Sequence, residues 1–288
     1  MKILVTGAEG MLGAAVVRRL TTAHDVLGVD LADGDLTAAG VAGDLVSRFG
    51  ADWVVHCAAW TDVDGAESAR ERAMAVNAAA TGHLVAACAA QGAGLTYIST
   101  DYVFDGRGDR GGYDEEDPRA PINHYGLTKA RGEELVTAAG GPWQIVRTSW
   151  LFGDGRVNFV KTIRRLLGER ETLTVVQDQR GCPTYADDLA GVLGFLVTSR
   201  RRGIFHGTNA GACSWYEFAR EIARGSGHDP DRVGPCGSDA YRRPAARPAC
   251  SVLRSRRLEE AGCPPRPSWQ DALGRYLELL DSGRARYP

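Results

Sequence analysis

The chain has 288 residues, of which 44% are hydrophobic and 24% charged, and its formal net charge is −2. This length and composition are typical of a globular protein with a sizeable core. The small net charge gives no basic field of the kind that attracts nucleic acid or an acidic membrane surface, so we expect neither as a partner.

The seven cysteines are odd in number, and none forms a C-x-x-C pair or the spacing of a zinc site. We therefore expect reduced thiols and a cytoplasmic location. No basic leader precedes the apolar run at residues 3–5. No apolar stretch is expected to approach the roughly 20 residues that a membrane-spanning helix needs.

Short β-branched runs alternate with helical patterns through the first half of the chain. Continuous apolar strands separated by amphipathic helices are typical of a parallel sheet covered on both faces. The pattern predicts an α/β fold, with a doubly wound Rossmann sheet in residues 1–149 that binds ligands at the carboxyl ends of its strands. The predicted strands are residues 2–6, 26–30, 53–56, 95–99 and 144–147, and the predicted helices are residues 11–20, 69–91 and 125–138.

The pattern loosens in residues 150–288, which we interpret mainly as a smaller C-terminal α/β substrate-binding lobe, with later segments returning to the first domain. Residues 229–267 are rich in proline and arginine and predict mostly loop. The predicted helices are residues 157–167, 187–198, 215–223 and 269–280, and the predicted strands are residues 173–176 and 204–206.

A glycine loop joins the first strand to the first helix. Gly7, Gly10 and Gly13 permit a tight turn, close approach of the backbone to a pyrophosphate, and close packing of the helix on the strand. Dinucleotide phosphates would lie at the positive end of the helix, beside Met11 and Leu12. Because the flanking strand and helix are both present, the segment predicts a site for NADPH or NADH.

Asp30 ends the second predicted strand, where a carboxylate accepts hydrogen bonds from the adenosine ribose. A bare carboxylate favours NADH because it repels a 2′-phosphate. Arg18 and Arg19 on the first helix could offset this repulsion, so the preference stays open. Asp35 and Leu36 in the following loop are candidates to flank the adenine.

Tyr125 and Lys129 lie four residues apart in a predicted helix, hence on one face. A nearby ammonium and the positive nicotinamide ring favour the phenolate, so we expect the pKa of Tyr125 to be lowered. Its phenol could then protonate a carbonyl oxygen as hydride reaches the carbon. Lys129 could also donate to the nicotinamide ribose. With only three lysines in the chain, this pair is unlike a chance surface pattern.

A second polar cluster, residues 99–102, follows a predicted buried strand at the edge where ligands bind. A hydroxyl there can hold a substrate carbonyl oxygen and support the developing alkoxide.

Together these residues resemble the extended short-chain dehydrogenase/reductases, and within them the dTDP-4-dehydrorhamnose reductase family of sugar-nucleotide 4-ketoreductases. The resemblance implies NAD(P)H-dependent reduction of the C4 ketone of a dTDP-4-keto-6-deoxy-L-hexose. The product would be dTDP-L-rhamnose or a related deoxysugar of secondary metabolism. The motifs that carry the resemblance are T-D-V-D-G-A-E at 61–67, S-T-D-Y-V-F-D-G at 99–106, Y-G-L-T-K-A-R-G-E at 125–133, R-T-S-W at 147–150, N-F at 158–159 and D-Q-R-G-C-P-T at 178–184.

The resemblance also implies roles for individual residues. Thr100, Tyr125 and Lys129 match the catalytic set, Asp101 lies beside the sugar, and Trp150 packs on the substrate. The other implied contacts are Ala59, Trp60 and Thr61 with the cofactor, and Asn158 and Arg247 with the substrate.

Two features depart from the family pattern. His56 stands where relatives often have asparagine, and we expect a packed, neutral histidine without a catalytic role. Some members bind Mg²⁺ through a glutamate on the first helix at a dimer contact. Residues 13–19 contain no carboxylate, so we expect no metal and leave monomer and homodimer both open.

Three alternatives remain at this stage. A 4,6-dehydratase of the same fold uses a Thr-Asp-Glu run, and Tyr102 in the third position argues against it. An epimerase differs in keeping its nicotinamide bound, which the sequence does not reveal. A non-catalytic, cofactor-binding regulatory subunit, like that of methionine adenosyltransferase, would not need the intact set of Thr100, Tyr125 and Lys129.

Overall fold

The computed structural model describes residues 1–107, 111–155 and 157–286. The strands are β1 Lys2–Thr6, β2 Asp25–Val29, β3 Trp53–His56, β4 Gly94–Thr100, β5 Trp143–Thr148, β6 Leu151–Phe152, β7 Leu173–Val176, β8 Arg180–Gly181, β9 Thr184–Tyr185, β10 Gly203–His206, β11 Cys213–Ser214 and β12 Val233–Cys236. The helices are α1 Met11–Leu20, α2 Val41–Phe49, α3 Val63–Ser68, α4 Arg70–Met74, α5 Ala80–Gln91, α6 His124–Thr137, α7 Phe159–Glu169, α8 Ala186–Ser199, α9 Trp215–Gly225, α10 Arg256–Glu260 and α11 Trp269–Asp281.

Six strands form one parallel sheet in the order β10-β5-β4-β3-β1-β2. The direction of winding reverses between β1 and β3, which defines a doubly wound sheet with its ligand crevice at the carboxyl ends of these strands. The predicted α/β fold with a Rossmann-type sheet is therefore confirmed.

Both faces of the sheet are covered because successive side chains of a strand point to opposite sides. In β1, Ile3 and Val5 lie in a core cluster with residues of α1 and α8. Leu4, between them, lies in a second cluster with residues of α2 and α5. This two-sided burial explains why the strands appear in the sequence as continuous apolar runs.

A separate aromatic core lies in the second half of the chain. Phe152, Phe218 and Tyr276 are fully buried in it, together with residues of α7, α9 and α11. The chain between these elements returns to the sheet, since α8 packs on α1 and β10 pairs with β5. Residues 229–267 are mostly irregular as predicted, but β12 was missed because it needs β7 as its partner.

One helix contradicts an expectation about membranes. Helices α4 and α5 are joined by a π-helical turn at Ala75–Ala79, and Arg70–Gln91 is, by length and composition alone, long and apolar enough to span a bilayer. The expectation that no stretch approaches this length is wrong. In the fold, Leu84 and Cys88 of this helix are buried in the core beneath the sheet.

Candidate active site

A cleft of about 890 Å³ runs along the carboxyl ends of the strands. The glycine loop lines one end of it, and the turn after β4 and the first turn of α6 line the other. The predicted site residues that line the cleft are Gly7, Gly10, Met11, Leu12, Gly13, Asp30, Asp35, Leu36, Ala59, Trp60, Thr61, Thr100, Asp101, Tyr125, Lys129 and Trp150.

The glycine loop forms a cradle that other residues would fill. Gly7 has φ 69°, in the left-handed region that favours glycine. A Cβ on Gly13 would overlap the Gly7 carbonyl oxygen, so α1 can pack this closely only with glycine there. Gly10 caps α1 without any side-chain hydrogen bond. The helix end thus presents backbone N–H groups to the cleft, a geometry that fits a cofactor diphosphate.

Asp30 is held by two backbone hydrogen bonds at the glycine-loop end of the cleft. Its carboxylate accepts hydrogen bonds from the backbone N–H groups of Glu9 and Leu31, both at 2.9 Å. Arg18 does not offset its charge, because its guanidinium pairs with Asp187 on α8 at 2.8 Å. Arg19 lines a different cavity. Neither arginine is therefore placed to offset the negative charge of Asp30, as the sequence had suggested.

Arg72 was missed by the sequence analysis, although it lines the same end of the cleft. Its guanidinium lies 5.6 Å from the ring centroid of Trp60. The pKa of Asp35 is lowered by hydrogen bonds from Thr37 and, to a smaller degree, by the charge of Arg72. The only sequence signal was an arginine in the first turn of a predicted helix, and the fold is needed to bring it to the cleft.

Asn77 in the π-helical turn is a second residue that sequence reasoning missed. Its amide accepts from the backbone N–H of Trp60 at 2.8 Å and donates to the Trp60 carbonyl at 3.0 Å. It also donates to the Thr128 hydroxyl at 2.9 Å. The loop after β3 is thereby fixed to α6, the helix that carries Tyr125 and Lys129. A π-helical turn at such a position is common near functional sites.

Close packing sets the position of Tyr125. The side chain of Asn123 caps α6 by accepting from the Gly126 N–H at 2.8 Å. A Cβ on Gly126 would overlap the carbonyl oxygen of Tyr102. The first turn of α6 therefore lies directly against the turn that contains Thr100, and Tyr125 and Thr100 line the same cleft.

The protonation of Tyr125 differs from the expectation. Burial raises its pKa to about 12, and the hydrogen bond with Thr100 opposes this only in part. Lys129 does not contribute to the shift, and its Nζ lies over the ring of Tyr97, 4.2 Å from the centroid. The expected lowering of the Tyr125 pKa by the ammonium is therefore wrong.

Lys129 is itself strongly perturbed. It exposes only 3% of its surface, and burial lowers its pKa to about 7, with the negative charge of Glu133 opposing the shift. Glu133 is neutralised mainly by Arg147, whose Nε and Nη2 donate to its two oxygens at 2.9 and 2.8 Å. Lys129 thus has no carboxylate of its own among the described residues, and it titrates near neutral pH.

Asp101 is an orphaned acceptor in the wall of the cleft. Its Oδ1 accepts from the Thr100 hydroxyl at 2.9 Å. Its Oδ2 is buried without a hydrogen-bond partner among the described residues. Burial raises the pKa of Asp101 to about 6, which Ser251 and Thr100 partly oppose. Such a group gains a partner when a polar ligand enters.

His56 is packed and neutral, as predicted. Its Nδ1 lies 2.7 Å from the Thr6 hydroxyl, and its Nε2 lies 3.2 Å from the Thr81 hydroxyl. Burial, and secondarily the charge of Lys129, lowers the pKa of His56 to about 3. The imidazole therefore joins β1, β3 and α5 as a hydrogen-bonded core residue.

Two predicted substrate residues do not line the cleft. Asn158 caps α7, and its amide donates to the carbonyl of Gly153 and to the hydroxyl of Tyr276. Arg247 pairs with Asp64, with Nη2 at 2.9 Å from Oδ2. Both side chains are thus engaged in contacts that stabilise the cleft walls.

The residues near α1 do not fit a Mg²⁺ site. Asp187 pairs with Arg18, and Asp188 accepts two hydrogen bonds from Arg275. Among residues 1–107, 111–155 and 157–286, no group of three or more His, Cys, Asp or Glu side chains is arranged to hold a metal. Arginine side chains thus neutralise the carboxylates of Asp187 and Asp188.

Comparison with known proteins gives a consistent result. Residues 1–282 match the family model described as the RmlD substrate binding domain. The dTDP-4-dehydrorhamnose reductase of Mycolicibacterium smegmatis is 44% identical, over 94% of this chain and 84% of the relative. The dTDP-4-keto-6-deoxy-D-glucose reductase of Streptomyces niveus is 40% identical over 97% of each chain. A dTDP-4-dehydrorhamnose reductase from Bacillus anthracis, solved in complex with NADP, has a TM-score of 0.92 at 39% identity, covering 96% of this chain and 98% of that one.

Proposed function

The chain belongs to the family of the RmlD substrate binding domain, and on that premise we propose that it is an NAD(P)H-dependent reductase of a dTDP-4-keto sugar. It reduces the C4 ketone of a dTDP-4-keto-6-deoxyhexose. The name of the M. smegmatis relative supports dTDP-4-dehydro-L-rhamnose as the substrate, with dTDP-L-rhamnose as the product. The observation that carries the proposal is that Thr100, Tyr125 and Lys129 share one cleft with the glycine loop.

Bound, reduced nicotinamide supplies the hydride for this reaction. Tyr125 holds the proton that the new alcohol needs, because its raised pKa of about 12 keeps the phenol protonated at neutral pH. A phenol of this pKa is still a far stronger acid than a secondary alcohol, so its Oη can protonate the developing alkoxide. The Thr100 hydroxyl, which lines the same cleft, orients the ketone oxygen toward that proton.

The same cleft contains the groups that would hold the cofactor. The cradle at the start of α1 fits the diphosphate, and the Asp30 carboxylate fits the adenosine ribose. Lys129 would donate to the nicotinamide ribose. The remaining residues proposed to contact the cofactor are Met11, Leu12, Asp35, Leu36, Ala59, Trp60 and Thr61.

The proposal covers both NADH and NADPH as the reducing cofactor. The fixed carboxylate of Asp30 favours NADH by repelling a 2′-phosphate, whereas Arg72 offers a positive charge at the same end of the cleft. The B. anthracis relative was solved with NADP. The balance between Asp30 and Arg72 sets the preference of this chain.

Tyr102 favours reduction over dehydration as the reaction of this cleft. A dehydratase needs a base at this position, but burial raises the pKa of Tyr102 far above neutrality. The phenol therefore keeps its proton and cannot take one from a sugar carbon. The intact set of Thr100, Tyr125 and Lys129 in one cleft favours an enzyme over a cofactor-binding regulatory subunit.

The proposal includes the cellular setting and the organisation of the chain. All seven cysteines are free, which supports the reducing cytoplasm as its location.

We propose that residues 1–149, with α8 and β10, bind the cofactor, and that the rest of residues 150–288 mainly bind the sugar nucleotide. A monomer and a homodimer both remain compatible with this proposal.

The decisive experiment mixes the protein with dTDP-4-dehydro-L-rhamnose and, separately, with other dTDP-4-keto-6-deoxyhexoses. Oxidation of NADH or NADPH is followed by absorbance, and NMR of the product assigns the new C4 stereocentre. Cofactor oxidation that depends on the keto sugar is the expected result. Failure to reduce any of these ketones would show that the proposed function is wrong.

A further inference from the structure

We propose that Trp215 is a gate of the substrate cleft. Its indole covers a face of Trp150 on which a sugar ring would pack. The sugar nucleotide must displace Trp215 in order to bind productively. This inference rests on the proposed function, because it names a residue that controls the entry of that substrate.

The two indoles form a nearly ideal stack. Their ring centroids lie 3.6 Å apart, and their planes differ by 8°. Both residues line the cleft that contains Thr100 and Tyr125. Phe159 contacts Trp215 with a centroid separation of 4.5 Å. The stack therefore belongs to the wall of the cleft, and nothing can lie on this face of Trp150 while Trp215 remains there.

The Trp150 indole also packs against backbone. A Cβ on Gly181 of β8 would overlap the atoms of that indole. The Trp150 main chain is fixed in the left-handed region at φ 46°, and its carbonyl accepts from the Thr184 N–H at 3.2 Å. Trp150 thus contacts both Gly181, which belongs to β8, and Trp215. Of these two neighbours, Trp215 is the one that a side-chain rotation can remove.

The stack stands next to the reacting centre. Thr148 pairs with Thr100 in the register of β4 and β5, and Trp150 follows Thr148 by two residues. A sugar whose ketone oxygen meets Thr100 would therefore place its ring near the Trp150 indole. Aromatic faces pack well on the apolar face of a sugar ring. The ring and Trp215 would then compete for one surface.

The backbone of α9 is anchored by contacts other than the Trp215 side chain. It is the first residue of α9, whose start is fixed by reciprocal hydrogen bonds between Ser214 and Glu217. Phe218 and Ala219 anchor the same helix in the aromatic core. The helix can therefore stay in place while the Trp215 side chain rotates away from Trp150.

Steady-state kinetics give the first test. Replacing Trp215→Ala removes the competitor, so we expect KM for the keto sugar nucleotide to fall about 2- to 10-fold, the range of an aromatic stacking preference. The kcat value and the KM for the cofactor should change less than twofold. Trp143→Phe, which alters an indole at the amino end of β5, is the control and should change neither KM. A rise in KM for Trp215→Ala would show that Trp215 binds the substrate and would overturn the gate.

The second test observes the gate without turnover. The protein is labelled with 5-fluorotryptophan, and the ¹⁹F signals of Trp150 and Trp215 are assigned with the two Trp→Phe variants. Saturating dTDP-L-rhamnose should shift both signals, whereas dTDP alone should shift neither. Unchanged ¹⁹F signals of Trp150 and Trp215 with bound dTDP-L-rhamnose would overturn the proposal that Trp215 is a gate. Shifted signals in a protein that reduces no keto sugar would overturn the proposed function and leave the gate supported.

Discussion

Gly126 lies so close to Tyr102 that any side chain at position 126 would overlap the carbonyl oxygen of Tyr102. This contact joins the first turn of the helix that carries Tyr125 to the turn that carries Thr100. The separation of the hydroxyls of Tyr125 and Thr100, which we propose to be catalytic, is therefore set by backbone packing, and one methyl group should be enough to change it.

We expect Gly126→Ala to lower kcat by about 10- to 100-fold, because a misplacement near 1 Å has effects of this size. The unfolding free energy should fall by about 1–3 kcal/mol through overpacking. Stopped-flow or steady-state kinetics and urea unfolding measure the two effects.

Gly168→Ala is the matched control. It lies in α7 with open space around its Cβ position, so it should stabilise the fold by about 0.5–1 kcal/mol and leave kcat unchanged. Equal kcat values for the two variants would refute the positioning role.

Tyr125→Phe should reduce turnover by roughly 100-fold or more, because the alkoxide loses its proton donor. The cofactor affinity should stay nearly constant, since the aromatic ring remains. Turnover is measured with the keto sugar, and cofactor binding by fluorescence titration. Wild-type turnover in this variant would mean that another group is the acid.

Lys129→Met should abolish most turnover and yet stabilise the protein. The pKa of Lys129 falls from its ordinary value of 10.5 to about 7 in the fold. Between these pH values the unfolded chain binds the proton more tightly, so this group makes wild-type stability rise with pH and imposes its full penalty below pH 7. Methionine removes that penalty, and Glu133 keeps Arg147 as its partner.

The expected gain for Lys129→Met is about 1–3 kcal/mol at neutral pH. It should shrink as the pH approaches 10.5, the ordinary pKa of the lysine. Urea unfolding at several pH values checks this trend. A variant that is less stable than wild type at pH 7 would show that the ammonium contributes favourably to the fold.

His56→Asn should make the protein less sensitive to acid. The native imidazole stays neutral until its pKa of about 3, whereas its ordinary value is 6.5. Within that window the unfolded chain binds the extra proton, so stability falls as the pH is lowered, by about 1.4 kcal/mol per pH unit from this group. The His56→Asn variant should lose this contribution to the dependence of the unfolding free energy on pH. The same acid dependence in both proteins would contradict the neutral assignment.

Periodicity and motif spacing predicted the parts of the fold that depend on local sequence. The strand β3 was predicted with its observed bounds, and α6 was displaced by one residue at each end. The glycine loop and Tyr125 were found because their neighbours in sequence are also their neighbours in space. The short strands β6, β8, β9 and β11 were not predicted, because two residues carry no periodic signal and each needs a distant partner.

The residues that sequence reasoning missed come to the site from other parts of the chain. Arg72 and Trp215 reach the cleft, and Asn77 reaches the loop at Trp60 that lines it, only when the parallel sheet and α9 are assembled. The pKa of Tyr125 was predicted in the wrong direction for a related reason. The helical spacing showed that Lys129 is near, but not that the fold buries the Tyr125 phenol, which raises its pKa.

The path of the chain through the sheet also limits how such enzymes can be recombined. Strand β10 completes the sheet beside β5, although the short strands β6 to β9 and helix α7 come between them in sequence. A chimera that takes everything after residue 149 from a relative would therefore import the edge strand and α8 as well. Exchanging only the segments proposed to bind the sugar requires at least three crossovers: one after β5, one that returns to the chain's own α8 and β10, and one that leaves again before α9.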